Sequence, residues 1–248
     1  MIKIKKASPP QVLIDNKDSW TAALKNAINQ YGGYDKIPAQ EKESLISHYH
    51  HKDIKHSLCV SSHGKCAFCE SKPGESGNIE IEHFAPKSLY PDLTFEWENL
   101  LPACRKCNEA KRDFDTVKES IIDPSKIDPE AAFTYAYLRI RPIVGTEHEN
   151  SAKATIEVCN LNSNRLYTAR AKLMQSLTEY TDGLKDKIEW ILEADTEYKR
   201  KIRITKLRNS LDEINSLLRD DSLYAGFCRW FVSQCPEYIE ARKIVTEQ

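Results

Sequence analysis

Two Cys-X2-Cys pairs, Cys66/Cys69 and Cys104/Cys107, constrain this 248-residue chain more than any other feature. Each pair can close a tight knuckle, and together they supply four thiolates, the ligand set a tetrahedral structural zinc prefers. Zinc binding to such sets is worth about 10–16 kcal/mol in small zinc-finger peptides, enough to order a region with little apolar core. Two unrelated pairs, or a redox Cys-X2-Cys, are the other readings of the pattern; the matched spacing favours zinc. Reduced thiols fit the rest of the sequence. No run approaches the roughly 20 apolar residues of a membrane span. Met1 to Lys6 is charged and has no apolar stretch after it, so the expectation is a soluble, cytoplasmic protein with no membrane partner. Cys59, Cys159, Cys228 and Cys235 read as small buried hydrophobes.

The chain falls into three stretches. Residues 1–60 read as an N-terminal helical segment: Trp20, Ala23, Leu24, Ala27, Ile28 and Tyr31 follow helical spacing, with Asp18 as N-cap and Gly32-Gly33 as stop, and a second helix is expected from Ala39 to His51. Residues 61–115 are punctuated by Gly, Pro and Cys, and Ile79-Glu80-Ile81-Glu82 alternates like a strand. Residues 116–248 read as a C-terminal region of one short strand, Phe133 to Ile140, followed by helices with breaks at Asp182-Gly183, Asp220-Asp221 and Cys235-Pro236. The fold class expected is α+β and mostly helical: a small metal-built module with helices before and after it.

The chemistry lies between and just after the knuckles. A carboxylate and an imidazole, Glu82 and His83, are adjacent at the end of the strand, and Asn99 and Asn108 follow. Hydrolysis of a phosphodiester with one metal ion needs such parts: hard oxygen ligands for a divalent cation and a neutral imidazole to deprotonate water. Glu80 shares a face with Glu82 in a regular strand, and reads equally as a carboxylate supporting the metal or as a solvated strand residue. His48, His50, His51, His56 and His63 read as a polar helix face, since only Cys59 stands beside them as a further ligand.

The order Cys-X2-Cys, Glu-His-X2-Pro, Asn-Leu, Cys-X2-Cys-Asn-X2-Lys resembles the HNH endonuclease family in its zinc-stapled ββα-metal form. The resemblance implies a hairpin and a helix gripping one catalytic divalent ion, Mg2+ or Mn2+, beside a structural Zn2+ on Cys66, Cys69, Cys104 and Cys107. It implies His83 as general base, Glu82 and Asn108 as ligands of the catalytic ion, and Asn99 as the residue that fixes the loop and orients the histidine. Lys111 occupies the place where members carry a basic residue or His near the scissile phosphate. Many members have Asp where this chain has Glu82, and the longer arm leaves the choice of metal open. A looser resemblance, carried by the Ile-Lys-Lys start, Ile122-Asp123-Pro124, and Ala154 to Asn162 with Leu166 and Arg170, covers most of the chain. It is to the PtuB family of HNH subunits from Septu antiphage systems, also found with some retrons. That resemblance implies a PtuA-like ATPase partner of ABC or SMC type and a docking role for 116–248.

The charge balance sharpens the expectation. The chain is nearly neutral, at -1, and the 61–115 module carries seven basic against ten acidic residues. A core this acidic should bind DNA weakly without a divalent ion. The one dense basic stretch, Lys199 to Arg208, reads as a solvated helix, a docking face for an acidic partner, or a phosphate contact. The function expected is metal-dependent cleavage of nucleic acid, DNA first, in antiphage defence. The alternatives are a non-catalytic zinc-knuckle module that binds nucleic acid or protein, and an HNH nuclease that cleaves RNA such as a tRNA.

Overall fold

The computed structural model describes residues 1–73 and 78–247. The chain divides into two compact units, one of residues 1–133 and 140–162, the other of 134–139 and the residues from 163 on. Residues 1–60 and 61–115 therefore lie in the same unit, and the stretch 116–162 belongs largely with them.

The first unit opens with three helices, α1 (Gln11–Tyr31), α2 (Ala39–Ile46) and α3 (Lys52–Ser61). Helix α1 begins seven residues before the expected Asp18 cap, because Pro10 supplies the extended residue ahead of it and Leu13 anchors the added turns in the core. It ends where Gly32 adopts φ 72° and turns its N–H back to the Ile28 carbonyl. Helix α2 gives way to a 3-10 turn over Ser47–His50, which tucks Tyr49 inside.

Strands β1 (Ile79–His83) and β2 (Leu100–Cys104) form an antiparallel hairpin pairing Ile81 with Pro102 and His83 with Leu100. Pro102 fits because its carbonyl points away from β1 to accept the Ala67 N–H at 2.8 Å, so its missing N–H costs the ladder no bond. Helix α4 (Arg105–Lys111) starts at the next residue. The helices brace the hairpin directly: Leu13, Leu24, Ile54 and Leu58 share a core with Ile81, Phe95, Trp97 and Leu100.

The expected strand from Phe133 to Ile140 is instead a hairpin, β3 (Phe133–Ala136) and β4 (Arg139–Pro142), turning at Tyr137 with φ 54°. Helix α5 (Glu149–Val158) completes the first unit; its Thr155 hydroxyl accepts the Ile122 N–H at 2.8 Å.

The second unit is built on α6 (Asn164–Leu192) and α7 (Glu197–Leu217), with α8 (Ala225–Ser233) and α9 (Pro236–Thr246). The short connection 193–196 folds α7 back along α6, and Leu177, Leu184, Ile188, Ile204, Leu207 and Leu211 fill the seam. No break occurs at Asp182-Gly183. A mid-helix Gly costs about 1 kcal/mol, less than burial of Leu177, Leu184 and Ile188 on either side returns. The breaks at Asp220-Asp221 and Cys235-Pro236 do separate helices. The protein is thus mostly helical with a few short strands. Among the described residues no helix is long and apolar enough to cross a membrane.

Candidate active site

Strand alternation sorts the acidic residues and the histidine. Ile79 and Ile81 are buried, Ile81 in the core shared with α1 and α3, and Glu80 and Glu82 face α4. Two residues along a strand span about 6.6 Å and three along a helix about 4.5 Å, close enough that side chains bridge the elements in two rungs. Asn108 Nδ2 donates to Glu80 Oε2 at 2.7 Å, and Lys111 Nζ is paired with Glu82 Oε1 at 2.6 Å. Lys111 is 1% exposed, and its ammonium also donates to the His83 carbonyl at 3.1 Å. With that carboxylate and carbonyl as partners, Lys111 holds β1 to α4. Burial pushes the Glu82 carboxyl above its ordinary value even though Lys111 pulls it down.

His83 is buried at the strand end. Its Nε2 lies 2.9 Å from the Thr94 carbonyl oxygen, and its ring meets Tyr49 edge-on at 4.6 Å. A carbonyl can only accept, so Nε2 carries the hydrogen and Nδ1 keeps its lone pair. Burial, with Lys87 and Lys111 nearby, pushes the imidazole down to about 3, so it is neutral at physiological pH.

Asn99 holds the loop that follows. Its Oδ1 accepts the Ala85 N–H at 2.7 Å, and its Nδ2 donates to the carbonyls of Ala85 and Leu93, each at 3.0 Å. The Phe84 N–H donates to the Asn99 carbonyl at 2.8 Å. Every polar atom of that side chain is spent on backbone, so Asn99 ties the loop down.

Glu82, His83 and Asn108 line one cavity of about 300 Å³, together with Tyr34, Tyr49, Lys87 and Arg112. Tyr34 and Tyr49 come from the N-terminal helical segment. The sequence carries no signal for them, because they sit in 3-10 turns on either side of α2 and only the tertiary packing of this segment brings them there. Glu80, left open between two readings, is bonded to the amide of Asn108.

The four cysteines form the second centre. The Sγ atoms of Cys66, Cys69, Cys104 and Cys107 all lie within 4.8 Å of one another and are buried, with Cys69 and Cys104 3.7 Å apart. A left-handed Glu70, φ 62°, closes the first knuckle, and the Cys66 N–H donates to the Ser71 carbonyl at 2.9 Å. Hydrogen bonds from the other three thiols hold Cys104 well below the usual thiol range. This is the one group of three or more His, Cys, Asp or Glu among the described residues with metal-binding geometry, and the histidines of 48–63 form none. His48 instead stacks on Trp20 at 4.7 Å. Cys104 ends β2 and Cys107 lies within α4, so the thiol cluster fixes the helix that carries Asn108 and Lys111.

Comparison with known proteins agrees with this geometry. Residues 66–114 match the family model described as HNH endonuclease. The chain is 36% identical over 141 residues to a Septu protein PtuB of Bacillus thuringiensis, covering 55% of this chain and 52% of that protein. It is 25% identical over 226 residues to a Septu protein PtuB of Bacillus mycoides strain KBAB4, 74% of this chain and 72% of that one. To a retron Ec83 putative HNH endonuclease of Escherichia coli it is 28% identical over 218 residues, 70% and 79% of the two chains. The match thus spans about half the length of the Bacillus thuringiensis protein. A thiol-stapled hairpin and helix, a buried neutral histidine at the strand end, and these similarities lead to one conclusion: residues 66–114 are an HNH endonuclease domain.

Proposed function

We propose that the protein is a metal-dependent endonuclease that cleaves DNA in antiphage defence, acting with a PtuA-like ATPase of ABC or SMC type. The observation that carries the reading is the cavity itself, which gathers the strand-end histidine, a carboxylate and a side-chain amide beside a buried thiol cluster. A non-catalytic knuckle module has no use for that trio.

The cysteines suit zinc. Tetrahedral bonds of about 2.3 Å place sulfurs roughly 3.8 Å apart, a spacing to which this cluster is already close. At the cavity, Glu82 and Asn108 offer oxygens, the donor type that Mg2+ and Mn2+ prefer. Glu80 accepts from Asn108 Nδ2 and so leaves Oδ1 as the free ligand atom. When bound, a divalent ion there supplies positive charge against the phosphate and the leaving oxygen.

The chain's own residues do the rest. The Thr94 carbonyl fixes the tautomer of His83, whose Nδ1 takes a proton from the attacking water. Burial, and after it the neighbouring lysines, depress the imidazole's basicity, and a phosphate entering the cavity offsets the lysines' share of that effect. Asn99 holds the backbone after His83 so that the ring keeps its aim. The names of the Septu and retron relatives support the defence role and a partner from the same defence system.

The test is cleavage of labelled duplex DNA and of RNA of the same sequence by the purified chain, with and without the ATPase, in Mg2+ or Mn2+ and without added ion. Ion-dependent cleavage of DNA is the expected result. Cleavage of RNA alone transfers the mechanism to the other substrate, and no cleavage under any condition overturns the reading.

A further inference from the structure

Lys111 follows Asn108 by one helical turn, yet its ammonium is buried against Glu82 and the His83 carbonyl. Other cations therefore have to meet the negative phosphate oxygens. Two line the cavity, Lys87 and Arg112. Neither forms an ion pair among the described residues. Lys87 Nζ lies over the Tyr49 ring, 5.2 Å from its centroid, and Tyr49 also meets the ring of His83. One aromatic side chain thus sets both the cation and the base.

The backbone under Lys87 is fixed as firmly. Asn99 clamps Ala85 from both sides, and the N–H groups of Leu89 and Tyr90 both donate to the Pro86 carbonyl, at 3.0 and 2.8 Å. Lys87 is half-buried, so its charge is poorly hydrated, and a π face satisfies it less completely than an anion does. Arg112 is exposed at the end of α4, where φ 50° turns the chain out of the helix. The two cations sit where a polyanion would have to enter.

We infer that Lys87, seated on Tyr49 beside His83, binds a non-bridging oxygen of the scissile phosphodiester, with Arg112 meeting the backbone phosphate next to it. This rests on the nuclease reading above and assigns the phosphate contact to Lys87, with Lys111 as the residue that holds Glu82 in place. A lysine in this position contributes in two ways. Its ammonium neutralises ground-state charge and so binds substrate, and it opposes the charge that grows on the phosphoryl oxygens as water attacks.

The experiment uses the full chain, zinc-loaded, with Lys87→Met, Lys87→Arg and Arg112→Gln beside the parent. Two quantities are read: kcat/KM for the cleaved nucleic acid, and the dependence of duplex binding on salt without divalent ion. Lys87→Met keeps the apolar stem over Tyr49, and zinc content and melting temperature confirm its fold. The expected result is a loss of about 10²-fold or more in kcat/KM for Lys87→Met. Lys87→Arg recovers a large part of it, since it restores the charge. The slope of log K against log salt falls by about 0.9 for each of Lys87→Met and Arg112→Gln, one released counterion apiece. A purely structural lysine would leave that slope alone.

Undiminished kcat/KM and an unchanged slope in Lys87→Met, with the parent cleaving normally, overturn the assignment and leave the nuclease reading standing. A parent that binds with the predicted slopes yet cleaves nothing overturns the nuclease reading and leaves Lys87 as a phosphate site. A parent that neither binds nor cleaves overturns both.

Discussion

Replacing Lys111 by Met tests whether the site is held together by a buried ion pair. Lys111 is 1% and Glu82 4% exposed, their charged atoms are 2.6 Å apart, and the same ammonium caps the His83 carbonyl. The methionine fills similar volume, so packing changes little, but it leaves Glu82 as a buried carboxylate without its counterion. Breaking one side of such a pair costs about 3–5 kcal/mol. The second contact adds one orphaned carbonyl, worth about 1–3 kcal/mol if no water reaches it. Replacing both partners, Lys111→Met with Glu82→Leu, removes the stranded charge and retains only the carbonyl cost, so the pair of substitutions should be far milder than Lys111→Met alone. Amide hydrogen exchange read by mass spectrometry on peptides covering 79–104 reports the hairpin separately from the second unit. At about 1.4 kcal/mol per tenfold, the broken pair alone should speed exchange there by about 10²- to nearly 10⁴-fold, and a dry orphaned carbonyl by up to about 10²-fold more. Adding Glu82→Leu should recover most of that protection. Exchange within about threefold of the parent in Lys111→Met, or additive effects of the two substitutions, would show that no buried ion pair holds the site.

Three further expectations follow from other parts of the first unit. One zinc per chain should be found by elemental analysis, and Cys104→Ser or a strong chelator should remove both the metal and the exchange protection of α4, because Cys104 and Cys107 are the residues that fix that helix. Asn99→Ala strands the Ala85 N–H and two loop carbonyls and should cost about 2–3 kcal/mol in urea unfolding, with cleavage falling as His83 loses its aim. Lys6 donates to the carbonyls of Trp97 and Leu100, and burial lowers it to about 8. Between pH 8 and the ordinary lysine value of 10.5 the unfolded chain binds more protons at this residue than the folded one, so its contribution makes the fold more stable as pH rises, by at most about 3 kcal/mol. Lys6→Met should flatten that part of the stability curve, as measured by denaturation at stepped pH.

The cysteine spacing made the thiol cluster legible because four soft ligands in two matched pairs have few other uses. Glu82, His83 and Asn108 were nameable from the motif's order, but their partners were not. Nothing local says that Lys111 spends its charge on Glu82 or that Asn108 is held by Glu80; those follow from the strand and helix periods once β1 is docked on α4. Tyr49 lies within a His-rich run whose residue types hint at a polar face, and only packing against the hairpin turns its ring toward His83. Lys87 follows directly on the Glu-His-X2-Pro motif and nothing local marks it, because a phosphate contact is defined by what else occupies the cavity. Elsewhere local signals were outvoted. The strand-like run from Phe133 to Ile140 hides the left-handed Tyr137 that makes it a hairpin, and the buried seam of α6 carries the helix through Gly183.

The role of His83 as the base is decided by a single-turnover comparison of the parent with His83→Ala. Both proteins are loaded with zinc to the same content, saturated with Mn2+ or Mg2+, and given the nucleic acid that the parent cleaves. A general base at this position requires a cleavage rate at least about 10²-fold lower for His83→Ala, with substrate binding little changed. A rate within about threefold of the parent would contradict it.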